Sequence, residues 1–156
     1  MGYKMLAGLG RFLVSIVFIV LGITAILNWD MAKADLTTAL ANWELYAGYI
    51  EGMGALFQYL LAAVPVLLGI GIIFQITGGI LVCLSLRVRL GAFLLFIQLL
   101  PATALYYHFW FLEGPAMARA LVLFLKNISI IGGLLIIMAT GSGVSTGGPA
   151  KTKPTN

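Results

Sequence analysis

Residues 65–86 read PVLLGIGIIFQITGGILVCLSL, a run of 22 residues without a charged side chain. As an α-helix rising ~1.5 Å per residue, this run is about 33 Å long, which matches the ~30 Å hydrocarbon core of a bilayer. Three similar apolar runs cover about 5–27, 90–110 and 116–140. None of them alternates with a period of two, and a helix satisfies its own backbone hydrogen bonds in lipid. The sequence therefore predicts an all-α membrane four-helix bundle.

The composition excludes an ordinary soluble domain. The chain has 156 residues, of which 62% are hydrophobic and only 9% are charged. An average soluble chain of this length carries about 39 charged residues, because about a quarter of its residues are charged. The net charge of +4 is small and the basic residues are scattered, which excludes a nucleic-acid partner. The apolar surface is therefore expected to face a lipid bilayer.

The basic residues near the ends of the spans predict the orientation. With a cytoplasmic N-terminus, more Lys and Arg fall on the inner side than on the outer side, as the positive-inside rule expects. The inner set is Lys4, Arg11, Arg87, Arg89, Lys151 and Lys153, and the outer set is Lys33, Arg119 and Lys126. Both termini are therefore predicted to be cytoplasmic. The segment Ala32-Lys33-Ala34 also fits a signal-peptide cleavage site, but the length of the first run and the three further spans favour a retained helix.

The connection between the first two spans, residues 28–64, is too long for a bare loop. Its apolar residues recur at alternating steps of four and three, which predicts an amphipathic interfacial helix over about 35–61. They are Leu36, Leu40, Trp43, Ala47, Ile50, Gly54, Phe57 and Leu61. Asp35 is expected to cap the start of this helix. The helix is expected to lie on the outer membrane surface or over the bundle mouth, or else to continue into the second span with a bend at Pro65.

The end of the sequence differs in composition from the spans. Residues 144–156 are small, polar and rich in Pro and Gly, so they are predicted to form a disordered cytoplasmic tail. Residues 1–143 are predicted to form one transmembrane domain.

The few polar side chains inside the predicted spans are candidate binding residues. Gln75 and Gln98 lie about 15 Å and 12 Å from the ends of their spans, so both are near the midplane. We interpret them either as a hydrogen-bonded pair joining two helices or as ligand contacts. Lys126 is the formal charge that lies clearly inside a span. We expect it either to snorkel to the outer surface or to form a polar pocket with Asn127.

Aromatic residues collect on the outer side. All three Trp (Trp29, Trp43 and Trp110) fall there, together with Tyr46, Tyr49, Tyr59, Tyr106 and Tyr107. An interfacial belt normally occupies both faces of a membrane, so the asymmetry also indicates an aromatic-walled site for a planar ligand. The sequence contains no recognisable catalytic constellation. Its single Cys and single His exclude a cysteine metal site and a bis-histidine haem.

Four stretches of the chain together resemble the DoxX family. The resemblance covers most of residues 11–143, and its motifs follow one another in the family's order. They are Arg11-Phe12-Leu13 with Phe18, Gly22 and Asn28-Trp29; Gln75-Ile-Thr-Gly78-Gly79 followed by Leu86-Arg87-Val-Arg89-Leu90-Gly-Ala92; Leu100-Pro101-Ala-Thr103 with His108-Phe109-Trp110; and Leu125-Lys126-Asn127-Ile-Ser-Ile-Ile-Gly132-Gly133 followed by Gly141-Ser-Gly143.

This resemblance implies a multi-pass, four-helix protein of the bacterial inner (plasma) membrane. The family includes a subunit of thiosulfate–quinone oxidoreductase and partners of membrane-associated redox complexes. It often carries Glu at the position of Gln75. A neutral amide cannot act as an acid or a base, so the resemblance gives Gln75 no proton-handling role.

Two functional hypotheses follow. In the first, the chain is a redox-linked subunit or partner of a membrane-associated oxidoreductase that holds a quinone in the outer half of the bundle. Lys126 and Asn127 would donate hydrogen bonds to a quinone oxygen, His108 would exchange a proton, and Trp110 or Trp29 would wall the ring. Gln75 and Gln98 would be further contacts.

In the second hypothesis, the chain is a non-enzymatic scaffold or assembly partner for a periplasmic protein. Residues 43–57 of the predicted interfacial helix would form its docking face. Both hypotheses are compatible with a homo-oligomer.

Overall fold

The protein is all-helical throughout the part of the chain that the structure, a computed structural model, describes, residues 2–141. Its helices are α1 (Gly2–Leu27), α2 (Trp29–Ala47), α3 (Met53–Ala62), α4 (Val64–Cys83), α5 (Val88–Tyr106) and α6 (Gly114–Thr140), with a short 3-10 helix at Phe109–Phe111. Four of them, α1, α4, α5 and α6, are long and apolar enough to cross a membrane. The predicted all-α class with four spans is therefore confirmed. The predicted tail, residues 144–156, lies outside the described residues.

The ends of the spanning helices differ from the predicted ones where the backbone turns. Helix α4 ends at Cys83, three residues before the predicted Leu86, and α5 begins at Val88. Ser85 and Arg87 in the intervening turn have positive φ angles of 56° and 39°. This left-handed backbone is incompatible with a continuing right-handed helix. The chain therefore reverses within four residues.

The predicted single interfacial helix over 35–61 is wrong, because the connection forms two helices. Helix α2 begins at Trp29, six residues before the expected cap Asp35, and ends at Ala47. A turn separates it from α3, and Gly52 in that turn has a φ angle of +82°, which glycine adopts readily. The alternating four-and-three spacing continues across this turn, so spacing alone did not reveal the break.

Helix α3 leads almost directly into the second span. Only Ala63 separates α3 from α4, and Pro65 occupies the first turn of α4. Proline has no backbone N–H to donate and fits the first helical turn best, so the helix direction changes there. The chain therefore does not continue as one long bent helix, because the helix is interrupted at Ala63, two residues before Pro65.

Helices α2 and α3 pack onto one end of the bundle, which we call the connection end. Helix α2 contacts α1, α4 and α5. Its buried residues Leu36 and Leu40 form a small core with Phe57 of α3 and Val64 of α4. The apolar face of the connection therefore lies against the protein, over the mouth of the bundle.

Helix α4 is the central spanning helix, and glycines allow its neighbours to approach. A methyl group placed on Gly78 would lie 2.9 Å from the backbone oxygen of Gly91 in α5. A methyl group on Gly79 would lie 2.8 Å from the side chain of Ile19 in α1. Such contacts are shorter than carbon atoms tolerate, so α1 and α5 pack this closely only because both positions are glycine.

The opposite end of the bundle, which we call the turn end, is held by arginines. Arg11 of α1 is buried, and its Nη2 donates a 2.7 Å hydrogen bond to the carbonyl oxygen of Gly141. Arg89 of α5 lies nearby, with Nη2 3.5 Å from the oxygen of Ala139. The last carbonyls of a helix lack intrahelical donors and carry partial negative charge. The two cations therefore cap α6 and link it to α1 and α5.

We predict that Gly78→Ala destabilises the protein by about 1–3 kcal/mol, because the added methyl group forces apart the backbones of α4 and α5. Gly132→Ala is the matched control. A methyl group at Gly132 meets no atom within 4 Å, so alanine should stabilise α6 by up to about 1 kcal/mol through helix propensity. Thermal unfolding of the two variants in detergent measures both effects. An equal or higher midpoint for Gly78→Ala would contradict the close approach.

Candidate functional site

Three of the predicted site residues meet at one cavity inside the bundle. Gln75 of α4, Gln98 of α5 and Asn127 of α6 line a space of about 180 Å³, which we call the amide cavity. Its remaining wall includes Phe18 of α1 and Tyr106 of α5. All four spanning helices therefore contribute to this cavity, and its polar groups are carboxamides and tyrosine hydroxyls.

Asn127 is held in place by a chain of hydrogen bonds. Its Nδ2 donates to Thr103 Oγ1 over 3.1 Å, and Thr103 Oγ1 donates to the carbonyl oxygen of Leu99 over 2.7 Å. Because the Thr103 proton points to Leu99, the Thr103 oxygen accepts from Asn127. This holds one N–H of Asn127 on Thr103 and leaves its second N–H and its carbonyl oxygen available to the cavity.

Gln75 and Gln98 have no such partners. The expected hydrogen bond between them is absent, and neither carboxamide makes a side-chain hydrogen bond within residues 2–141. Both side chains are half-buried, with no enclosed polar atom left unpaired. Each amide therefore offers a donor and an acceptor to whatever fills the cavity.

Lys126 lies apart from this group. Its side chain is exposed, and it lines neither the amide cavity nor the larger cavity described below. Successive helix residues point about 100° apart, so Lys126 faces out of the bundle where Asn127 faces in. This placement favours the snorkelling alternative for Lys126 over the shared pocket.

His108 and Trp110 belong to a packed aromatic cluster at the connection end. The ring of Trp43 makes edge contacts with His108, Trp110 and Phe111 at centroid distances of 6.1, 5.9 and 5.4 Å. Tyr46 stacks on Phe111 at 4.5 Å. These aromatic side chains contact one another across α2 and the 3-10 helix, so they secure the connection end, and Trp43 also lines the larger cavity described below.

One backbone carbonyl oxygen accepts hydrogen bonds from two side chains of this cluster. The oxygen of Leu105, in the last turn of α5, accepts hydrogen bonds from Trp43 Nε1 at 3.1 Å and from His108 Nδ1 at 2.9 Å. Since a carbonyl oxygen only accepts, Nδ1 of His108 carries the proton in this contact. The buried His108 is thus a helix cap, and the structure does not bring it to the amide cavity.

A second cavity of about 520 Å³, which we call the large cavity, lies between α2, α3, α4 and α5. Its walls are almost entirely apolar and include Leu40, Phe57, Gly71 and Pro101. A methyl group built on Gly71 meets no atom within 4 Å, so the space beside this glycine is open.

Sequence reasoning named Tyr106 among the outer aromatic residues without joining it to the carboxamides, and it missed Gly71. Gln98, Ala102 and Tyr106 follow at steps of four, which places them on one face of α5, and this spacing was the available signal for Tyr106. Gly71 lies inside α4, and no neighbouring atom comes close enough to its Cβ position to require a glycine there. No sequence pattern distinguishes such a glycine from one at a tight helix contact, such as Gly78.

Comparison with known proteins gives one informative relative. The chain is 25% identical over 135 residues to the inner membrane protein YphA of Escherichia coli (strain K12), covering 86% of this chain and 82% of the relative. No protein-family model matches the chain, so the resemblance to DoxX stays a prediction. No solved structure matches it significantly. Together with the four candidate spans, the similarity to YphA supports an integral inner-membrane protein.

Proposed function

We propose that this protein is a DoxX-like, quinone-binding subunit or partner of a membrane-associated oxidoreductase, with the quinone ring in the amide cavity. The observation that supports this most strongly is the pair of carboxamides, Gln75 and Gln98. They line one cavity at mid-span depth without a hydrogen-bond partner in the described chain.

The cost of unpaired amides in hydrocarbon motivates a polar ligand. Moving an amide from water to an apolar medium without a hydrogen bond costs about 2–7 kcal/mol. A ring with carbonyl oxygens on opposite edges accepts hydrogen bonds from carboxamide N–H groups on different helices. Gln75 and Gln98 lie on two adjacent helices, and the carboxamide of Asn127 faces the same space from a third.

The size of the amide cavity suits a single ring. Its volume is about 180 Å³, and an engineered cavity of about 150 Å³ in another protein binds benzene. The wall opposite the amides includes Phe18 and Leu21, which offer apolar contact to a ring face.

The chemistry of the site favours binding over catalysis. A carboxamide donates and accepts hydrogen bonds but does not release or take up a proton at neutral pH. In this proposal the chain therefore holds and orients the quinone, and a partner oxidoreductase supplies the electrons. The resemblance to DoxX, a family with quinone-linked members, supports the same division of roles.

The proposal includes an orientation. With the N- and C-termini in the cytoplasm, the turn end carries Arg11, Arg87 and Arg89 on the inner side, as the positive-inside rule expects. The connection end, with α2 and α3, then faces the periplasm, and a soluble electron donor would approach from there.

We predict that Asn127→Leu and Gln98→Leu each weaken binding of a ring without an isoprenoid tail by at least about tenfold, because each removes a hydrogen bond from a desolvated site. The probe is 2,3-dimethoxy-5-methyl-1,4-benzoquinone, titrated calorimetrically into the detergent-solubilised full chain.

Lys126→Leu is the matched control, because it also replaces a polar side chain with leucine, one residue away on the exposed face of α6. It should leave binding unchanged. Equal affinity of the Asn127→Leu, Gln98→Leu and wild-type proteins would refute the site. If only Lys126→Leu loses binding, the quinone binds in the outer polar pocket that the sequence predicted around Lys126, and not in the amide cavity.

The second candidate function is a non-enzymatic scaffold for a periplasmic protein. The predicted docking face over 43–57 is wrong at its two ends, because Phe57 is buried and Trp43 packs in the aromatic cluster. One observation still favours docking at the connection end. Tyr49, in the turn between α2 and α3, is 86% exposed, and Leu45 is 75% exposed.

A photo-crosslinking residue at Tyr49 should trap one discrete adduct in intact cells if this scaffold function operates. The same residue at Tyr46, which stacks on Phe111, serves as the control and should give none. Identical patterns from the two positions would argue against a specific docking surface.

A further inference from the structure

The amide cavity and the large cavity share one stripe of α5. Gln98, Ala102 and Tyr106 line both spaces, and they follow one another at steps of four. Between the side chains of Gln98 and Tyr106, Ala102 contributes only a methyl group. The two cavities are therefore adjacent, and Ala102 is the smallest of the side chains that they share.

The two cavities differ in chemistry. The amide cavity presents three carboxamides. The large cavity is almost three times as large and presents mainly aliphatic and aromatic side chains from α2, α3, α4 and α5. A ligand that fits both has a small polar ring at one end and a long apolar chain at the other.

Gly71 keeps the large cavity wide. It lies in the middle of α4, where glycine is a weaker helix former than alanine. At Gly78 and Gly79 a neighbouring helix explains the glycine, but a methyl group on Gly71 meets only open space. Gly69 and Gly71 are both open at the Cβ position, but of the two only Gly71 lines the large cavity, where a larger side chain would take up cavity space.

We propose that the large cavity holds the isoprenoid chain of the quinone whose ring lies in the amide cavity. This inference rests on the proposed function. It commits to the isoprenoid chain, and not to the acyl chain of a bilayer lipid, because the large cavity shares three lining residues with a compartment that presents carboxamides. The N–H groups of those amides can donate hydrogen bonds to the carbonyl oxygens of the quinone ring at the head of the chain.

The test compares two ligands in two glycine variants of the full-length protein. Gly71→Leu fills the large cavity from α4, and Gly69→Leu is the matched control. Gly69 lies one half-turn away on the same helix, meets no atom within 4 Å at its Cβ position, and lines neither cavity. The ligands are the tailless benzoquinone named above and the same ring carrying an isoprenoid chain of several units.

We expect the wild-type protein and Gly69→Leu to bind the tailed quinone at least about tenfold more tightly than the tailless ring, because the chain is removed from water. Gly71→Leu should lose most of this difference and bind the tailless ring normally. Gly71→Ala, whose methyl group is accommodated without a clash, should lose an intermediate share and serves if the leucine variant does not fold.

The outcomes separate this inference from the proposed function. If the tailless ring binds through Gln98 and Asn127 but Gly71→Leu leaves the gain from the tail intact, the chain lies elsewhere and this inference is overturned. If Gly71→Leu reduces only the phospholipid that co-purifies with the protein, the occupant is a bilayer lipid and the inference is again overturned. If the tailless ring does not bind the wild-type protein, the proposed function itself fails.

Discussion

Hydrocarbon offers a polar group no hydrogen-bond partner, and this constraint accounts for most of the polar geometry in the protein. The hydroxyl groups of Ser15, Thr24, Thr103, Ser129 and Thr140 all donate to the backbone carbonyl one turn earlier in their own helices. The carbonyl oxygen of Leu105, at the end of α5, accepts hydrogen bonds from the side chains of Trp43 and His108. The carbonyl oxygen of Gly141, at the end of α6, accepts a hydrogen bond from Arg11. The carboxamides of Gln75 and Gln98 make no such side-chain hydrogen bond in the described chain, and the proposed ligand would supply their partners.

The fold could be predicted from the sequence because the bilayer fixes both the length and the composition of a spanning helix. The helix ends could not, because they depend on single backbone angles such as those of Ser85 and Arg87. The break between α2 and α3 has the same cause. The glycine-containing turn at residues 48–52 interrupts the backbone while the apolar spacing continues on both sides of it.

The sequence predicts how far along the membrane normal each candidate residue lies, but not towards which side of its helix the side chain points. Hydropathy locates a residue along the membrane normal, and by that measure Lys126 and Asn127 are equivalent. Their rotation about the helix axis separates them, and this rotation becomes known only when α6 packs against α5 through Leu134 and Ile131. The same limit applies to His108. Its depth suggested a ligand contact, whereas the packing of α2 uses it to cap α5. Gln75 and Gln98 line the same cavity because they lie at matching depths on two helices of one hairpin.

The proposed function joins these features into a membrane subunit that binds a ligand without transforming it. In this proposal the carboxamides recognise a ring, the large cavity accommodates a chain, and α2 with α3 covers the end of the bundle beside both. The most direct measurement is the quinone content of the protein purified from its own membranes in a mild detergent. Solvent extraction should recover close to one quinone per chain. A content no higher than that of an unrelated membrane protein purified in the same way would contradict the account.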